Sequence, residues 1–346
     1  MIEEHNALYE QGGEDPPLFT MAVNKFTDMS DEEFLRGYTG LRVPPEKTEQ
    51  MKSFSFNNPK KRQLWRGTRK KWSVDDEVKP TDLKANNQTL AIETGPPVYK
   101  NWDEEGAVTA PLDQGGCGAC WAFTTAAACE SLAYISGYTK ELEEFSVQQL
   151  LDCNTEDNYG CGGGWMYEGF QYVSDVGILK RSNYRDFERH QAKCQFSKDY
   201  LHSEAALTGI GFIEHDGRTN DQMRELIAKQ PIGAGMVTTG MLNSYSTGIL
   251  TEKFLHCSNE NWEVNHGVLI VGYGQTEPEK PGNRVYSNVQ CNHYWIIRNS
   301  WGSDWGEHGF MKLCADGVGS KETPLGTCLI NKYSVWPTMN PQDRGF

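Results

Sequence analysis

The uneven distribution of cysteine is the feature that most constrains how this chain can fold. All ten cysteines lie between Cys117 and Cys328, and residues 1–116 contain none. A dense, even set of cysteines is typical of disulfide-bonded domains in oxidising compartments. We therefore expect a disulfide framework in the second part of the 346-residue chain and a different architecture before it.

The cysteine-free part divides into an acidic, helical stretch and a polar one. Within residues 1–40, Ser30 is followed three positions later by Glu33, which is the pattern of a capping box at the start of a helix. Residues 41–95 include the basic run KKRQLWRGTRKKW and a glycosylation sequon at Asn87, and we interpret them as a linker. The composition becomes globular from Pro96 onward.

The cysteine-rich part contains helical patterns first and strand patterns later. Helices are predicted over 120–138, 146–153 and 221–230, where small or apolar residues recur at helical spacing. Strands are predicted over 266–274, 294–302 and 309–314, which are β-branched, aromatic and bounded by glycine. Helices followed by antiparallel strands indicate an α+β fold in two halves.

Charge and hydropathy exclude several classes of partner. A net charge of −14 argues against a nucleic-acid-binding surface. No stretch reaches the roughly 18 uncharged apolar residues of a membrane span. The first ten residues, MIEEHNALYE, lack the basic start and apolar run of a signal peptide. Because disulfides imply a secretory route, we expect that the sequence lacks its true N-terminus.

The motif CGACW raises three possibilities for its two cysteines. A zinc site needs a second close pair, but Cys153 and Cys161 are eight residues apart. A redox pair normally lies beside a βαβ pattern, which is not apparent here. In the third interpretation, Cys120 begins a helix whose dipole favours a nucleophilic thiolate, and Cys117 is free to bridge another segment.

A nucleophilic cysteine requires a base and a group that orients it. His266 begins a predicted strand and Asn299 ends the next one, so antiparallel pairing would bring them together. Trp301 would shield their hydrogen bond from water, and Gln114 would supply an amide to an oxyanion hole. A buried structural histidine and a turn asparagine are the alternative interpretations of the first two residues.

These residues resemble the papain-like (cathepsin L-like) cysteine peptidases. The signature C-G-[SA]-C-[WY] is present at 117–121, and YGCGGGWM, NHGVLIVGYG and NSWGSDWGEHGF follow in family order. The resemblance implies a helical left lobe, an antiparallel β-barrel-like right lobe and a cleft between them. It implies Cys120 as nucleophile, His266 as base and then acid, Asn299 as orienting residue and Gln114 as oxyanion donor. No cofactor or metal is expected.

The resemblance also implies the disulfides and the substrate cleft. Three bridges match the family, namely Cys117–Cys161, Cys153–Cys194 and Cys257–Cys328. Cys291 and Cys314 flank two antiparallel strands and are proposed as a fourth bridge, which leaves Cys129 as a buried free thiol. The implied substrate-binding residues are Gly163, Gly164, Trp165, Met166, Gly235, Val264, Asn265, Gly267, Trp301 and Tyr333. The pocket for the second residue before the scissile bond would be lined by five of them, Met166, Gly235, Val264, Gly267 and Tyr333. This lining is apolar and has no acidic residue at its floor, which predicts Leu, Val or Phe there.

The N-terminal part resembles an inhibitory propeptide, and the resemblance implies that this propeptide is cut off within its first helix. FTMAVNKFTD keeps Asn24, Phe26 and Asp28 of the family's G-x-N-x-F-x-D segment, with Ala22 in place of glycine. The expected domains are a partial propeptide at 1–40, a linker at 41–95, a peptidase at 96–337 and a tail at 338–346. Family zymogens mature at acid pH, and protonation of Asp28 and its acidic neighbours is expected to loosen the propeptide.

The resemblance predicts a monomeric, acid-active endopeptidase made as a zymogen, which hydrolyses proteins or peptides through an acyl-enzyme thioester. Its own propeptide would act as an intramolecular inhibitor, and it would be lysosomal, vacuolar or secreted. A catalytically silent or inhibitory relative that acts by binding is the alternative. All four catalytic positions are filled in this sequence, which argues against that alternative.

Overall fold

A computed structural model describes residues 1–11, 17–45, 96–197, 199, 206–257, 264–276, 291–316 and 325–345. The basic run at 60–72, Asn87 and nearly all of the 41–95 linker lie outside these ranges. Residues 1–43 and 96–346 belong to one compact unit. None of the helices in the described part of the chain has the length and apolar character that a bilayer crossing requires.

Seven α-helices are found among the described residues. They are α1 Ile2–Gln11, α2 Asp31–Tyr38, α3 Cys120–Ile135, α4 Val147–Cys153, α5 Met166–Val176, α6 Asn220–Ile227 and α7 Glu252–Leu255. The predicted helices at 120–138, 146–153 and 221–230 are confirmed as α3, α4 and α6. Helix α3 ends three residues earlier than predicted, α4 begins one residue later, and α6 begins one residue earlier and ends three residues earlier. The capping box is confirmed too, because Ser30 accepts from the amide of Glu33 and Glu33 caps the amide of Ser30.

Twelve β-strands are found in the same part of the chain. They are β1 Phe19–Met21, β2 Lys100–Asn101, β3 Ile178–Leu179, β4 Ala206–Leu207, β5 Gly211–Asp216, β6 Ile232–Met236, β7 Tyr245–Leu250, β8 His266–Gln275, β9 His293–Arg298, β10 Phe310–Cys314, β11 Tyr333–Thr338 and β12 Arg344–Gly345. The three predicted strands are confirmed as β8, β9 and β10.

Ten of these strands make one sheet, and β3 pairs with β4 separately. The sheet order is β1-β7-β10-β9-β8-β6-β11-β5-β12, with β2 beside β8. The ladder is antiparallel except where β10 meets β7 and β12 meets β5. The segment 338–346 therefore includes a short strand on the sheet edge. Strand β1 comes from the N-terminal segment (residues 1–43) and extends the sheet at its other edge.

Two apolar cores correspond to the two lobes expected from the resemblance. The first surrounds α3, which is buried on nearly every side and packs against α5 and β8. The second lies on the sheet around β6 to β10. Phe19, Phe26 and Phe34 of the N-terminal segment belong to this second core. The segment is thus folded onto the sheet lobe through fully buried aromatic side chains.

All four proposed disulfides are present. The bonded pairs are Cys117–Cys161, Cys153–Cys194, Cys257–Cys328 and Cys291–Cys314. Cys120 and Cys129 are both free and buried, and Cys129 is thus the buried free thiol that was expected. The two cysteines of CGACW are therefore separated in role, because one is oxidised to a bridge and the other keeps its thiol. Loss of one such bridge typically costs about 2–5 kcal/mol.

Candidate active site

The free thiol of Cys120 lies at the start of a helix in the middle of the molecule. Cys120 is the first residue of α3, and no side chain caps this helix end. The unpaired amides of a helix N-terminus favour negative charge at this position. The glycines before it let the chain turn tightly, and the Cys117–Cys161 bridge ties that loop to residues 160–162.

A histidine and an asparagine from adjacent strands are joined beside this helix. His266 is the first residue of β8, Asn299 directly follows β9, and the two strands pair antiparallel. His266 Nε2 lies 2.8 Å from Asn299 Oδ1, and the other ring nitrogen, Nδ1, has no hydrogen-bond partner among the described residues. When Nε2–H donates to the asparagine, Nδ1 is left as the proton acceptor.

Trp301 covers this pair from the sheet side. Its indole ring is fully buried and its centroid lies 4.9 Å from that of the His266 ring. The expectation that Trp301 shields the histidine–asparagine bond is consistent with this placement. The α3 helix approaches from the other side, because a Cβ built on Gly267 would lie 3.5 Å from the carbonyl carbon of Cys120.

Gln114 is held in one orientation by two hydrogen bonds. Its Nε2 donates to the carbonyl of Cys117 at 2.9 Å, and its Oε1 accepts from Ser300 Oγ at 2.5 Å. One N–H of the side-chain amide is used in this way, and its second N–H remains as a further donor. Ser300 was not identified from the sequence, although its position directly after Asn299 was a usable signal.

The N-terminal segment occupies the groove over the thiol. The amides of Gly40 and Leu41 donate to the carbonyl of Asn265, both at 2.9 Å. Gly40 and Arg42 exchange hydrogen bonds with Gly164, and Leu41 pairs with Gly164 in the parallel direction. A Cβ on Gly40 would clash with the carbonyl oxygen of Gly118, so the chain passes here only as glycine. The segment is held by backbone pairing, as an added strand would be.

Burial changes the titration of both reactive groups. Burial raises the pKa of the Cys120 thiol to about 12, and hydrogen bonds from backbone amides, including those of Gly267 and Leu41, offset only part of this rise. Burial lowers the pKa of His266 to about 4, against the opposing hydrogen bond from Asn299. The thiol and the imidazole are therefore both neutral near pH 7 while the groove is filled. The thiolate expected at Cys120 therefore needs the groove to open.

Leu41 lies in the pocket that the sequence predicted. A Cβ built on Gly235 would lie 2.9 Å from Leu41 Cδ2 and 3.3 Å from Val264 Cγ2. The sulfur of Met166 lies beside Gly267, at 3.3 Å from the position of a built Cβ. By the β6–β11 register, Tyr333 lies opposite Gly235 and on the same face. Five predicted pocket residues are thus brought together.

The remaining predicted residues frame the groove. The side chain of Asn265 exchanges two hydrogen bonds with the backbone of Thr238, which fixes the carbonyl that binds Gly40 and Leu41. The rings of Trp165 and Tyr333 meet edge to face at 5.1 Å. Gly163 has a φ of 106°, and a Cβ there would lie 2.5 Å from the carbonyl oxygen of Gly40. This glycine lets the two backbones approach closely.

An acidic residue behind the pocket was missed. Glu214 of β5 is buried, and its Oε1 accepts from Trp165 Nε1 at 3.1 Å. Burial raises the pKa of the Tyr333 hydroxyl, as do the carboxylates of Asp216 and Glu214. The alternation in GFIEHD places Glu214 on the inward face of its strand, but nothing in the sequence indicates that strand's partner.

A helix-borne thiol beside a strand-borne imidazole, with a peptide strand lying in the groove above them, is the architecture of a cysteine peptidase held as its precursor. Comparisons with known proteins agree. Residues 96–338 match the family described as "Papain family cysteine protease", and residues 1–34 match "Cathepsin propeptide inhibitor domain (I29)". The chain therefore belongs to the papain family of cysteine proteases, and it carries a cathepsin-type propeptide.

Individual relatives support the same conclusion. The chain is 32% identical to vignain of Phaseolus vulgaris over 319 residues, which is 92% of this chain and 73% of the relative. It is 32% identical to procathepsin L of Felis catus over 318 residues, which is 91% of this chain and 78% of the relative. Digestive procathepsin L 3 from the larval midgut of Tenebrio molitor aligns with a TM-score of 0.67 at 27% identity, over 97% and 87% of the two chains. The protein is a cysteine-type endopeptidase with its inhibitory propeptide.

Proposed function

We propose that the peptidase domain cleaves peptide bonds with Cys120 as nucleophile and His266 as the proton carrier. In this proposal Asn299 keeps His266 Nε2 protonated, and Gln114 together with the Cys120 amide stabilises the oxyanion. The observation that carries the proposal is the arrangement of His266, whose Nε2 is bound to Asn299 while its buried Nδ1 has no partner among the described residues. A purely structural histidine of this burial would use both nitrogens.

The reaction follows from these roles. His266 takes the thiol proton, and the thiolate attacks the carbonyl carbon, so that a C–S bond forms and the carbonyl oxygen becomes an oxyanion. His266 then returns the proton to the leaving amine as the C–N bond breaks, which leaves a thioester. Water adds to the thioester with His266 as base, and breakage of the C–S bond releases the acid and the thiol.

The pocket supports a preference for an apolar residue at the second position before the scissile bond. Leu41 of the N-terminal segment lies against Gly235, and Val264 adjoins the same space. Glu214 is directed to the indole nitrogen of Trp165 rather than to Leu41. Leu, Val and Phe are therefore the favoured side chains of a substrate at this position.

Domain limits, compartment and pH follow from the same proposal. The propeptide comprises residues 1–40, the linker 41–95, and the mature, monomeric enzyme residues 96–337 followed by a short C-terminal segment. Four disulfides suit an oxidising compartment, so we place the enzyme in a lysosomal, vacuolar or secretory setting. Activity and maturation are expected under acid conditions.

The two free cysteines provide a matched test of the nucleophile. Cys120→Ala and Cys129→Ala each remove one buried thiol of α3. After acid treatment, the Cys129→Ala enzyme is expected to hydrolyse a fluorogenic peptide amide with Leu at the pocket position and to bind one equivalent of an epoxide thiol inhibitor. The Cys120→Ala protein is expected to do neither. Activity in Cys120→Ala, or a folded, propeptide-free wild type without activity, would refute the proposal and favour a binding role.

A further inference from the structure

A second contact between propeptide and enzyme lies on the other side of the reactive thiol. Lys25 Nζ lies 3.0 Å from Asp113 Oδ2 and 3.0 Å from Asp304 Oδ1. The same ammonium group donates to the carbonyl of Trp301 at 2.6 Å. Three oxygens of the peptidase domain therefore surround one cation of the propeptide.

The enzyme itself builds this arrangement. Asp113 forms an antiparallel bridge with Trp301, and its Oδ1 accepts from the amide of Gly115 at 2.8 Å, so this carboxylate is oriented without Lys25. Asp304 lies in the turn after Trp301, and its side chain is 65% exposed. Within the described ranges, the other cation near the pair is Arg189, whose Nη2 lies 3.6 Å from Asp113 Oδ2. Removal of the propeptide leaves the oriented carboxylate of Asp113, with Arg189 beside it, and the exposed carboxylate of Asp304 next to it.

The position of the pair along the groove follows from the path of the propeptide. Leu41 marks the pocket for the second residue before the scissile bond, beside Gly164 and Gly235. Going back along the propeptide, the carbonyl of Tyr38 accepts from Trp301 Nε1 at 2.9 Å, and Lys25 lies beyond it. The ring of His266 contacts Trp301, so the reactive pair lies between the two contacts. The carboxylates therefore face the half of a substrate that departs as the amine.

We infer that Asp113 and Asp304 form a subsite that selects Lys or Arg on the leaving-group side of the scissile bond. The inference rests on the proposed function and adds a substrate class to it. A lysine ammonium or an arginine guanidinium would replace Lys25 between the two carboxylates, with the Trp301 carbonyl as a third acceptor. An acidic side chain there would meet two like charges. Because the pair is partly exposed, the selection is expected to be about three- to tenfold.

Internally quenched peptides test this selection. All peptides have the same residues before the scissile bond, with Leu at the second position before it. Each of the first three positions after the scissile bond is replaced in turn by Lys, Gln or Glu. At one of these positions, wild-type kcat/KM is expected to be about three- to tenfold higher for Lys than for Gln, and lowest for Glu. Raising the salt concentration is expected to reduce the Lys-to-Gln ratio.

Variants of the two aspartates test whether they cause the preference for Lys. Asp304→Asn is expected to lower the Lys-to-Gln ratio, and Asp113→Asn combined with Asp304→Asn to bring it close to one. Asp186→Asn is the matched control, because it removes one charge from an 84% exposed aspartate that pairs with Arg181. This control is expected to keep the wild-type ratio.

A fluorogenic amide, which has no amino acid after the scissile bond, separates the two proposals. Failure of the wild type to hydrolyse this amide would overturn the proposed function, and the subsite with it. Hydrolysis of the amide together with a wild-type Lys-to-Gln ratio near one at all three positions would overturn the subsite alone. A ratio that persists in the double variant would also overturn it.

Discussion

At the scale of single residues, the contacts of the N-terminal segment show which groups of the enzyme recognise a peptide. Gly40 and Leu41 use backbone hydrogen bonds to Asn265 and Gly164, and these bonds do not distinguish one side chain from another at position 41. Selectivity must therefore come from side chains, and Leu41 against Gly235 is such a contact. A glycine at position 235 leaves room that any other residue would fill.

Gly235→Ala tests the apolar pocket. The added methyl would lie 2.9 Å from the position of Leu41 Cδ2, so a leucine side chain would no longer fit without displacement. We expect kcat/KM for a Leu substrate to fall at least about tenfold and that for an Ala substrate to fall much less. Gly116→Ala is the control, because a Cβ there meets nothing within 4 Å. An unchanged Leu-to-Ala ratio in Gly235→Ala would contradict the placement of the pocket.

At the scale of secondary-structure elements, helix α2 holds the propeptide on the sheet lobe. Phe34 and Tyr38 lie one turn apart on this helix, and the ring centroids of Phe34 and Trp301 are 5.0 Å apart. The helix has only eight residues, so its capping box contributes a large share of its stability. The capping box therefore influences how tightly the propeptide binds over the groove.

Ser30→Ala is expected to weaken this closure. Loss of an N-cap typically costs about 0.5–2 kcal/mol, and this loss falls on the propeptide alone. We expect Ser30→Ala to mature at acid pH several times faster than the wild type, as measured by electrophoresis of samples taken over time. The two matured enzymes are expected to have equal kcat/KM. Glu32→Gln, in the same turn but outside the cap, serves as control. Equal maturation rates for Ser30→Ala and wild type would show that α2 does not limit opening.

The elements also show what the sequence could and could not predict. The positions of Cys120, His266 and Asn299 were predictable, because each lies at the start or end of an element with a clear pattern, or directly after it. Helix α5 was missed, although Met166, Phe170 and Val173 are buried at helical spacing and Gly177 ends the helix at a φ of 92°. Glu214 and the Lys25 contact were not predictable, since each depends on pairing between segments distant in sequence.

At the scale of the whole molecule, acid maturation requires a group that changes charge between propeptide and enzyme. Asp28 and its acidic neighbours were expected to fill this role, but Asp28 is exposed, and within the described part of the chain no ion pair involves it. His5 is a better candidate. Its ring is buried between Phe19 and Phe254 of the enzyme's α7, and its Nε2 is 3.0 Å from the carbonyl of Phe19.

The direction of the pH effect follows from the pKa of His5. Burial lowers this pKa below 6.5, and the hydrogen bond to Phe19 only partly opposes the shift. Above about pH 6.5 His5 is neutral in both the docked and the released propeptide, so docking keeps its full stability. Below that pH the released histidine takes up a proton more readily than the docked one, and docking weakens as the pH falls.

His5→Gln is expected to move the onset of acid maturation to lower pH. Glutamine keeps a donor for the Phe19 carbonyl but acquires no charge. The pH dependence of the maturation rate, measured between pH 7 and pH 4, provides the test. Asp28→Asn is expected to keep the wild-type profile. A shifted profile in Asp28→Asn together with an unshifted one in His5→Gln would restore the original assignment to Asp28.

The central claim is that Cys120 is the nucleophile and that the propeptide keeps it covered and neutral. The most direct test compares the rate at which iodoacetamide alkylates Cys120 at pH 7 before and after removal of residues 1–95. Peptide mass spectrometry measures the alkylation of each cysteine. We predict an increase of at least about a hundredfold at Cys120 upon removal, because the buried thiol has a pKa of about 12, and little change at Cys129. Equal alkylation of Cys120 in the intact and the processed chain would contradict the claim.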